Sequence, residues 1–177
     1  SKDAVSFISI YGTNGLQYYI SKDGSTGINE FTIIKKSPIY QRAVELKGQP
    51  FWTPLNEENQ VFITNNRAPK IAMFRSILDM NSYKIAGFMM ITINLDFIED
   101  NFLKNLQTPG SSYIITDENN EAIIFSNTGK GLSKAVLLPK INSYIKKAED
   151  SQIVEIANQS MLLTHSTIIN SHWNVLY

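Results

Sequence analysis

Residue types that commonly carry catalysis are sparse in this chain. It contains two histidines, His165 and His172, and no cysteine. Without cysteine there is no disulfide framework and no thiolate zinc site. An enzyme would have to be a small hydrolase with one histidine as general base, and that histidine would need a serine or carboxylate beside it in a solvent-filled cleft. We therefore expect a domain that is not an enzyme.

Two polar stretches resemble ion-binding loops only in part. Residues 128 to 134, TGKGLSK, lack the full spacing with which a phosphate loop surrounds its ligand, so they predict an ordinary loop. Residues 117 to 121, DENNE, offer oxygens for calcium, but the turn of a β-hairpin explains them more simply. The sequence predicts no metal ion and no other cofactor.

A charge in an apolar strand pattern marks a candidate ligand contact. In the run IAMFRSILD, alternation places Arg75 on the same strand face as Ile71, Met73 and Ile77. A buried charge is costly unless it is paired. Arg75 would therefore either meet a structural carboxylate such as Asp79 or face an anionic group of a ligand.

Three other side chains combine size or polarity with an apolar setting. Trp52 could stack on a ligand ring or pack in the core. The hydroxyl groups of Tyr40 and Thr92 could each contact a ligand or satisfy a backbone group. The predicted ligand contacts are Tyr40, Trp52, Met73, Arg75 and Thr92.

The segment SPIYQRAVELKGQPFWTPLN, residues 37 to 56, must position two of these candidates. Ser37 followed by Pro38 is typical of a helix start, and the apolar spacing predicts a helix over residues 38 to 47. Gly48 can adopt the left-handed conformation that ends a helix. The prolines that flank Phe51 and Trp52 then favour an extended run.

The same order of elements is predicted twice. Residues 7 to 21 and 113 to 126 each read as a β-hairpin. A helix follows each hairpin, and Pro139 should start or kink the second one. Three β-rich runs follow each helix. In the first half they are QVFITNN, KIAMFRSILD and KIAGFMMITIN, and in the second half they are QIVEIA, SMLLTHSTII and HWNVLY.

This repeat predicts an α+β fold of two units, residues 1 to 94 and 95 to 177. Each unit should be a five-stranded antiparallel sheet with helical cover. Between the two sheets, LDFIEDNFLKNL should form a connecting helix with Ile98, Phe102, Leu103 and Leu106 on one face.

Composition restricts the partners. Sixteen basic and sixteen acidic residues give a net charge of +0, which leaves no excess charge to bind nucleic acid. The apolar run IAGFMM falls far short of the ~20 residues that cross a bilayer. We expect no nucleic-acid partner and no membrane span within this chain.

Four segments in this order and spacing resemble a known family: FISIYGTNGLQYYIS, IYQRAVELKGQPFWT, IAMFRSILD and GFMMITINLDFI. They resemble the extracytoplasmic double Cache (PAS-like) sensor domains of bacterial receptor histidine kinases and chemoreceptors, and most closely kinases of Gram-positive type. The resemblance implies a membrane-distal unit that holds a small-molecule ligand and a membrane-proximal unit that transmits. It also implies a homodimeric receptor at the cell membrane, whose transmembrane helices and long first helix lie outside this chain.

The resemblance also assigns positions within the distal unit. The helix after Ser37 and the segment with Trp52 would form one wall of the distal cleft. Amino-acid-sensing members carry an Arg and a Trp where this chain has Ser37 and Ile39, and an Asp where it has Thr92; Tyr40 is kept. Amino-acid sensing by that mode is therefore not expected. An adhesion module without a small ligand is the remaining alternative, and absence of a distal cavity would favour it.

Overall fold

The computed structural model describes residues 4–56, 62–64, 68–104, 109–118, 120–127, 134–145, 151–168 and 171–177. Close contacts divide the chain into two compact units, Ser1–Asn101 and Phe102–Tyr177, which we call unit 1 and unit 2. The sequence-based boundary between residues 94 and 95 stays a prediction. No helix in the described ranges is long and apolar enough to cross a membrane.

Unit 1 contains seven strands and three short α-helices within its described residues. The strands are β1 (Val5–Gly12), β2 (Gln17–Ser21), β3 (Gly27–Ile28), β4 (Phe51–Pro54), β5 (Phe62–Ile63), β6 (Lys70–Leu78) and β7 (Ile85–Asn94). The helices are α1 (Phe31–Ile34), α2 (Pro38–Glu45) and α3 (Leu95–Ile98), and a π-helical turn, Glu99–Leu103, follows α3. The predicted connecting helix therefore begins at Leu95. Of its proposed apolar face, Ile98 is half-buried, whereas the side chains of Phe102, Leu103 and Leu106 lie outside the described part of the chain.

Unit 2 repeats the hairpin, helix and three strands. Its strands are β8 (Ser112–Thr116), β9 (Ala122–Asn127), β10 (Ser151–Ile156), β11 (Gln159–Ile168) and β12 (Trp173–Leu176). Its helix is α4 (Lys134–Ile145), and Pro139 lies inside it rather than at its start. The described residues of the DENNE stretch lie in the β8–β9 turn, where Asp117 Oδ1 accepts a hydrogen bond from the Glu121 amide at 2.8 Å. The TGKGLSK loop lies almost wholly outside the described residues.

The two main sheets have the same strand order. Sheet 1 runs β2-β1-β7-β6-β4 and sheet 2 runs β9-β8-β12-β11-β10, with antiparallel neighbours throughout. When only the five strands of each main sheet are numbered in chain order, both sheets have the order 2-1-5-4-3. The predicted fold of two five-stranded antiparallel sheets with helical cover is confirmed, and the recurrence of elements extends to the topology.

The fifth strand of sheet 1 differs from the prediction. The run QVFITNN was expected to enter the sheet, but its described part, β5, pairs with β3 in a separate two-stranded sheet. The edge position is taken by β4, which pairs with β6. An edge strand accommodates Pro54 because its outward backbone needs no partner.

Helix α2 forms as its sequence predicts. The Ser37 Oγ accepts a hydrogen bond from the Tyr40 amide at 3.2 Å, and Pro38 occupies the first turn. Gly48 lies just beyond the helix at φ 86°, in the left-handed region that suits glycine. One side of α2 packs on sheet 1 through Ala43, which is fully buried.

Aromatic side chains dominate the core of unit 1. The buried cluster between sheet 1 and helices α1 and α2 contains Phe7, Tyr11, Phe31, Phe51, Phe62, Phe74 and Phe88. Unit 2 has an aliphatic core under α4, and its described members are Ile114, Leu137, Val154, Ile156, Leu163 and Leu176. Each unit thus has its own apolar interior.

Candidate functional site

The register of sheet 1 assigns the predicted contact residues to two different faces. Residues directly opposite each other on antiparallel strands share a face. Thr92 lies opposite Phe7 and Ala72, which belong to the core under the helices. Trp52 lies opposite Met73, and Met73 lies opposite Ile91. Met73 and Ile91 are each one residue along the strand from Ala72 and Thr92, so this row points to the other face of the sheet. We call these the helix-covered face and the outer face.

Tyr40 reaches the helix-covered face from α2. Its ring contacts Phe31 and Phe88 edge-on, with centroids 5.6 and 5.5 Å apart. Burial raises the pKa of the Tyr40 phenol. The phenolic hydroxyl can donate a hydrogen bond. The side chain is only half-buried. Tyr40 thus combines an apolar ring with a hydroxyl group at the margin of the core.

Thr92 is fully buried on the same face and is held by internal hydrogen bonds. Its Oγ1 lies 2.7 Å from the Ser6 Oγ and 3.4 Å from the Phe7 carbonyl oxygen. A further buried atom, Asn94 Oδ1, has no hydrogen-bond partner within the described ranges. Buried polar atoms without partners are uncommon in folded proteins. The helix-covered face therefore carries polar groups that a bound molecule could satisfy.

Ser37, at the position where the resemblance would place an arginine, has a structural role. Its hydroxyl donates to the Ile34 carbonyl oxygen at 2.7 Å and accepts from the Tyr40 amide. Both bonds hold the start of α2. Ser37 thus supports the orientation of Tyr40 and supplies no charge.

The expected wall of α2 and Trp52 does not form. Side chains alternate along β4, and Phe51 takes the helix-covered side, where its ring lies 4.7 Å from the Arg42 guanidinium carbon. Trp52 therefore lies on the outer face with Met73, and both are half-buried. The predicted contact residues form two groups rather than one cleft.

Arg75 lies on the outer face with Met73, but it is exposed. The expectation of a buried charge is wrong. The row of β6 with Ala72 and Phe74 is buried under the helices, whereas the row of Arg75 is buried at Ile71, half-buried at Met73 and exposed at Arg75. The proposed ion-pair partner, Asp79, caps a turn by accepting hydrogen bonds from the amides of Asn81 and Ser82 and from the Ser82 hydroxyl. These bonds lower the pKa of the Asp79 carboxyl. Arg75 therefore needs no carboxylate partner for the fold.

Replacing Arg75 by methionine should leave the free energy of unfolding within about 0.5 kcal/mol of the wild type, as is usual at exposed positions. Urea unfolding measures this directly, with Lys84→Met, which alters an exposed residue in the loop before β7, as the matched control. A loss of more than about 2 kcal/mol, in the range for breaking a buried network, would show that Arg75 is structural.

Unit 1 contains a buried ion pair that the sequence did not predict. Lys70 Nζ lies 3.4 Å from Asp23 Oδ2, and each side chain is 3% exposed. Asp23 Oδ1 also accepts hydrogen bonds from Ser21 Oγ, the Ser25 amide and Ser25 Oγ. In the sequence, only the turn-forming residues Asp23-Gly24-Ser25 indicate a structural role for Asp23, and they do not indicate that its partner lies 47 residues away.

Among the described residues, the hydrogen bonds of the two histidines include no serine or carboxylate partner of the kind that a hydrolase would need. His165 Nε2 lies 3.0 Å from Asn174 Oδ1, which also accepts from the Thr167 hydroxyl. An amide oxygen carries no proton, so the His165 nitrogen donates in this contact. His172 lies in the turn before β12 at φ 54°. Neither feature supports the enzyme alternative.

Comparison with solved structures finds this fold in bacterial sensory domains. The ligand-binding domain of the Campylobacter jejuni chemoreceptor Tlp3, in complex with L-valine, matches with a TM-score of 0.59 and 18% identity over 97% of this chain. The ligand-binding domain of the Pseudomonas aeruginosa amino-acid chemoreceptor PctC, in complex with GABA, matches with a TM-score of 0.58 and 12% identity over 98% of this chain and 73% of its own. PctB from the same organism, in complex with L-Gln, matches with a TM-score of 0.59 and 11% identity over 96% of this chain and 66% of its own.

The chain spans 65% of the length of the Tlp3 domain. No family model matches the sequence, and comparison with curated proteins gave no match. The structural matches extend through both units and show the fold: it is the double PAS-like Cache fold of chemoreceptor ligand-binding domains.

Proposed function

We propose that this chain is the extracytoplasmic ligand-sensing domain of a bacterial transmembrane signalling receptor. The observation that supports this most strongly is the match of both units to domains that bind ligands in chemoreceptors. The described residues supply no catalytic constellation that would favour turnover over recognition. The domain would reside outside the cytoplasm, and the full-length receptor would be a homodimer anchored by helices beyond this chain.

We propose that the full-length receptor is a sensor histidine kinase, because the sequence resembles kinases of Gram-positive type. A chemoreceptor is the second candidate, and the chemoreceptor origin of the matched structures favours it. The two differ in chemistry. A kinase-linked receptor in membranes would phosphorylate itself on histidine from ATP, whereas a chemoreceptor would instead be methylated on its cytoplasmic helices.

Unit 1 is proposed as the membrane-distal, ligand-binding unit. Tyr40 and Thr92 would contact the ligand between α2 and the helix-covered face of sheet 1. The aromatic rings around Tyr40 favour a ligand with an apolar part. The buried Asn94 Oδ1, which has no hydrogen-bond partner among the described residues, favours a ligand with a hydrogen-bond donor. Trp52, Met73 and Arg75 could contact only a ligand bound on the outer face.

Ligand binding should be located by hydrogen–deuterium exchange of the purified chain. We expect compounds that raise the melting temperature to slow exchange in Pro38–Glu45 and Ile85–Asn94. Tyr40→Phe keeps the ring packing and removes one hydrogen bond, so affinity should fall by about three- to tenfold. Tyr18→Phe, at an exposed position on β2, is the matched control.

Because the Ser37 and Thr92 positions lack charged anchors, L-valine and GABA should stabilise the chain far less than its own ligand does. Stabilising compounds that protect only residues beyond 101 would overturn the assignment of unit 1 as the sensing unit.

A further inference from the structure

Strand β2 forms one edge of sheet 1. Among the described strands it pairs with β1 alone, so its other side is open. Its side chains are exposed from Gln17 to Ile20, and Tyr18 and Ile20 are 64% and 65% exposed. On an edge strand, the backbone groups that point away from the sheet can pair with a strand of another chain.

The hydrogen bonds of the β1–β2 hairpin show which backbone groups of β2 point to the open side. The Gly12 amide donates to the Leu16 carbonyl oxygen at 2.7 Å, and the Lys22 amide donates to the Ser6 carbonyl oxygen at 2.8 Å. Between these two bonded pairs, bonded and non-bonded positions alternate along the strands. The residues of β2 at the non-bonded positions are Gln17, Tyr19 and Ser21. Their amide and carbonyl groups therefore point away from β1.

Strand β2 lacks the features that usually protect a sheet edge. Natural edge strands carry charged side chains, proline or a β-bulge, each of which hinders pairing with another chain. The segment QYYIS contains no charged residue and no proline, and its register with β1 has no shift. The opposite edge of the same sheet, β4, contains Pro54. Of the two edges of sheet 1, β2 is thus the one suited to pairing.

The sequence of β2 is complementary to a second copy of itself. Antiparallel pairing about a twofold axis at Tyr19 places Gln17 opposite Ser21 of the second copy. This register pairs every outward-pointing residue of β2, and each bonded pair exchanges two backbone hydrogen bonds. It also places Tyr18 opposite Ile20 of the second copy, and pairs of aromatic and β-branched side chains stabilise antiparallel sheets.

We infer that this chain self-associates through β2, so that two copies of sheet 1 join edge to edge in one continuous antiparallel sheet. The same surface is used by both copies, which gives a closed dimer. A single edge strand buries little surface, so the association is weak and depends on concentration. This contact goes beyond the proposed sensing role, and it uses none of the predicted ligand contacts of unit 1.

Sedimentation equilibrium of the purified chain, from about 10 μM to about 1 mM, should show a monomer–dimer equilibrium. Amide exchange measured by NMR over the same range locates the contact. The amides of Gln17, Tyr19 and Ser21 should exchange more slowly as concentration rises. The amides of Tyr18 and Ile20, which already point to β1, should change much less.

Ile20→Lys and Ile33→Lys provide matched variants, because both replace an exposed isoleucine of unit 1 by lysine. Ile20 lies on β2, whereas Ile33 is 59% exposed on α1. A lysine on an edge strand hinders pairing, so Ile20→Lys should weaken dimerisation at least about tenfold. Ile33→Lys should dimerise as the wild type does. If Ile20→Lys does not fold, Gln17→Pro serves instead, because it removes an outward-pointing amide at the first residue of β2 and leaves the bonds to β1 in place.

A chain that stays monomeric up to about 1 mM would overturn the β2 contact. Equal weakening by Ile20→Lys and Ile33→Lys, or unchanged dimerisation of a folded β2 variant, would overturn it as well. These results would leave the ligand-binding proposal intact, since that proposal rests on exchange in α2 and β7. Conversely, loss of the unit 1 ligand assignment would not alter the concentration dependence expected at β2.

Discussion

Replacing Lys70 by methionine should destabilise the domain by about 3–5 kcal/mol, the usual cost of removing one partner from a buried ion pair. The variant leaves Asp23, whose side chain is 3% exposed, as a buried carboxylate without its cation. It also removes the hydrogen bond from Lys70 Nζ to the Ala68 carbonyl oxygen. Urea unfolding, followed by circular dichroism, measures the loss.

The double variant Asp23→Asn/Lys70→Met separates the ion pair from simple packing. It removes both charges, so most of the lost stability should return. Lys84→Met, at an exposed position, should change stability by no more than about 0.5 kcal/mol. If the double variant were as unstable as Lys70→Met alone, the lysine would act through its packing and not through its charge.

The same pair predicts how stability depends on pH. Burial raises the pKa of Asp23, but the hydrogen bonds from Ser25, the Lys70 charge and the Ser21 hydroxyl together outweigh burial and hold that pKa below its usual range. A lowered folded-state pKa contributes stability above the unfolded value of about 3.9, and the contribution is lost as pH falls through the folded value. Stability of the wild type should therefore fall more steeply below about pH 4 than stability of the double variant.

Replacing Phe88 by alanine should cost about 3–5 kcal/mol, as is typical for a fully buried phenylalanine. Phe88 is 0% exposed, and its ring contacts those of Tyr11, Tyr40 and Phe74 at centroid distances of 6.2, 5.5 and 5.9 Å. The variant would leave a cavity where three aromatic rings now meet. Urea unfolding measures this effect as well.

Tyr18→Ala is the matched control for Phe88, because Tyr18 is 64% exposed on β2 of the same sheet. It should change stability by about 0.5 kcal/mol or less. Leucine occupies less volume than phenylalanine but more than alanine, so the stability of Phe88→Leu should lie between that of the wild type and that of Phe88→Ala. A loss below about 1 kcal/mol for Phe88→Ala would show that the aromatic cluster does not form the core of unit 1.

Local sequence determined most of the elements. The Ser37-Pro38 start and the Gly48 end of α2 depend on hydrogen bonds and dihedral preferences within a few residues, so they could be predicted from the segment itself. The hairpins β1–β2 and β8–β9 likewise depend on short turns between β-rich runs. Because the same order of elements occurs twice, the sequence also predicted two similar units, and both have the same strand order.

Only the tertiary structure decided which face each side chain occupies and which distant residues meet. A shift of one residue in strand register moves a side chain to the other face, so alternation within β4 and β6 could not show that Trp52 and Arg75 lie away from α2. The choice of β4 over β5 as the edge of sheet 1, and the pairing of Lys70 with Asp23, depend on contacts between segments far apart in the chain. Such contacts leave no periodic pattern in the sequence, because each partner is selected by the packing of the whole unit rather than by its neighbours.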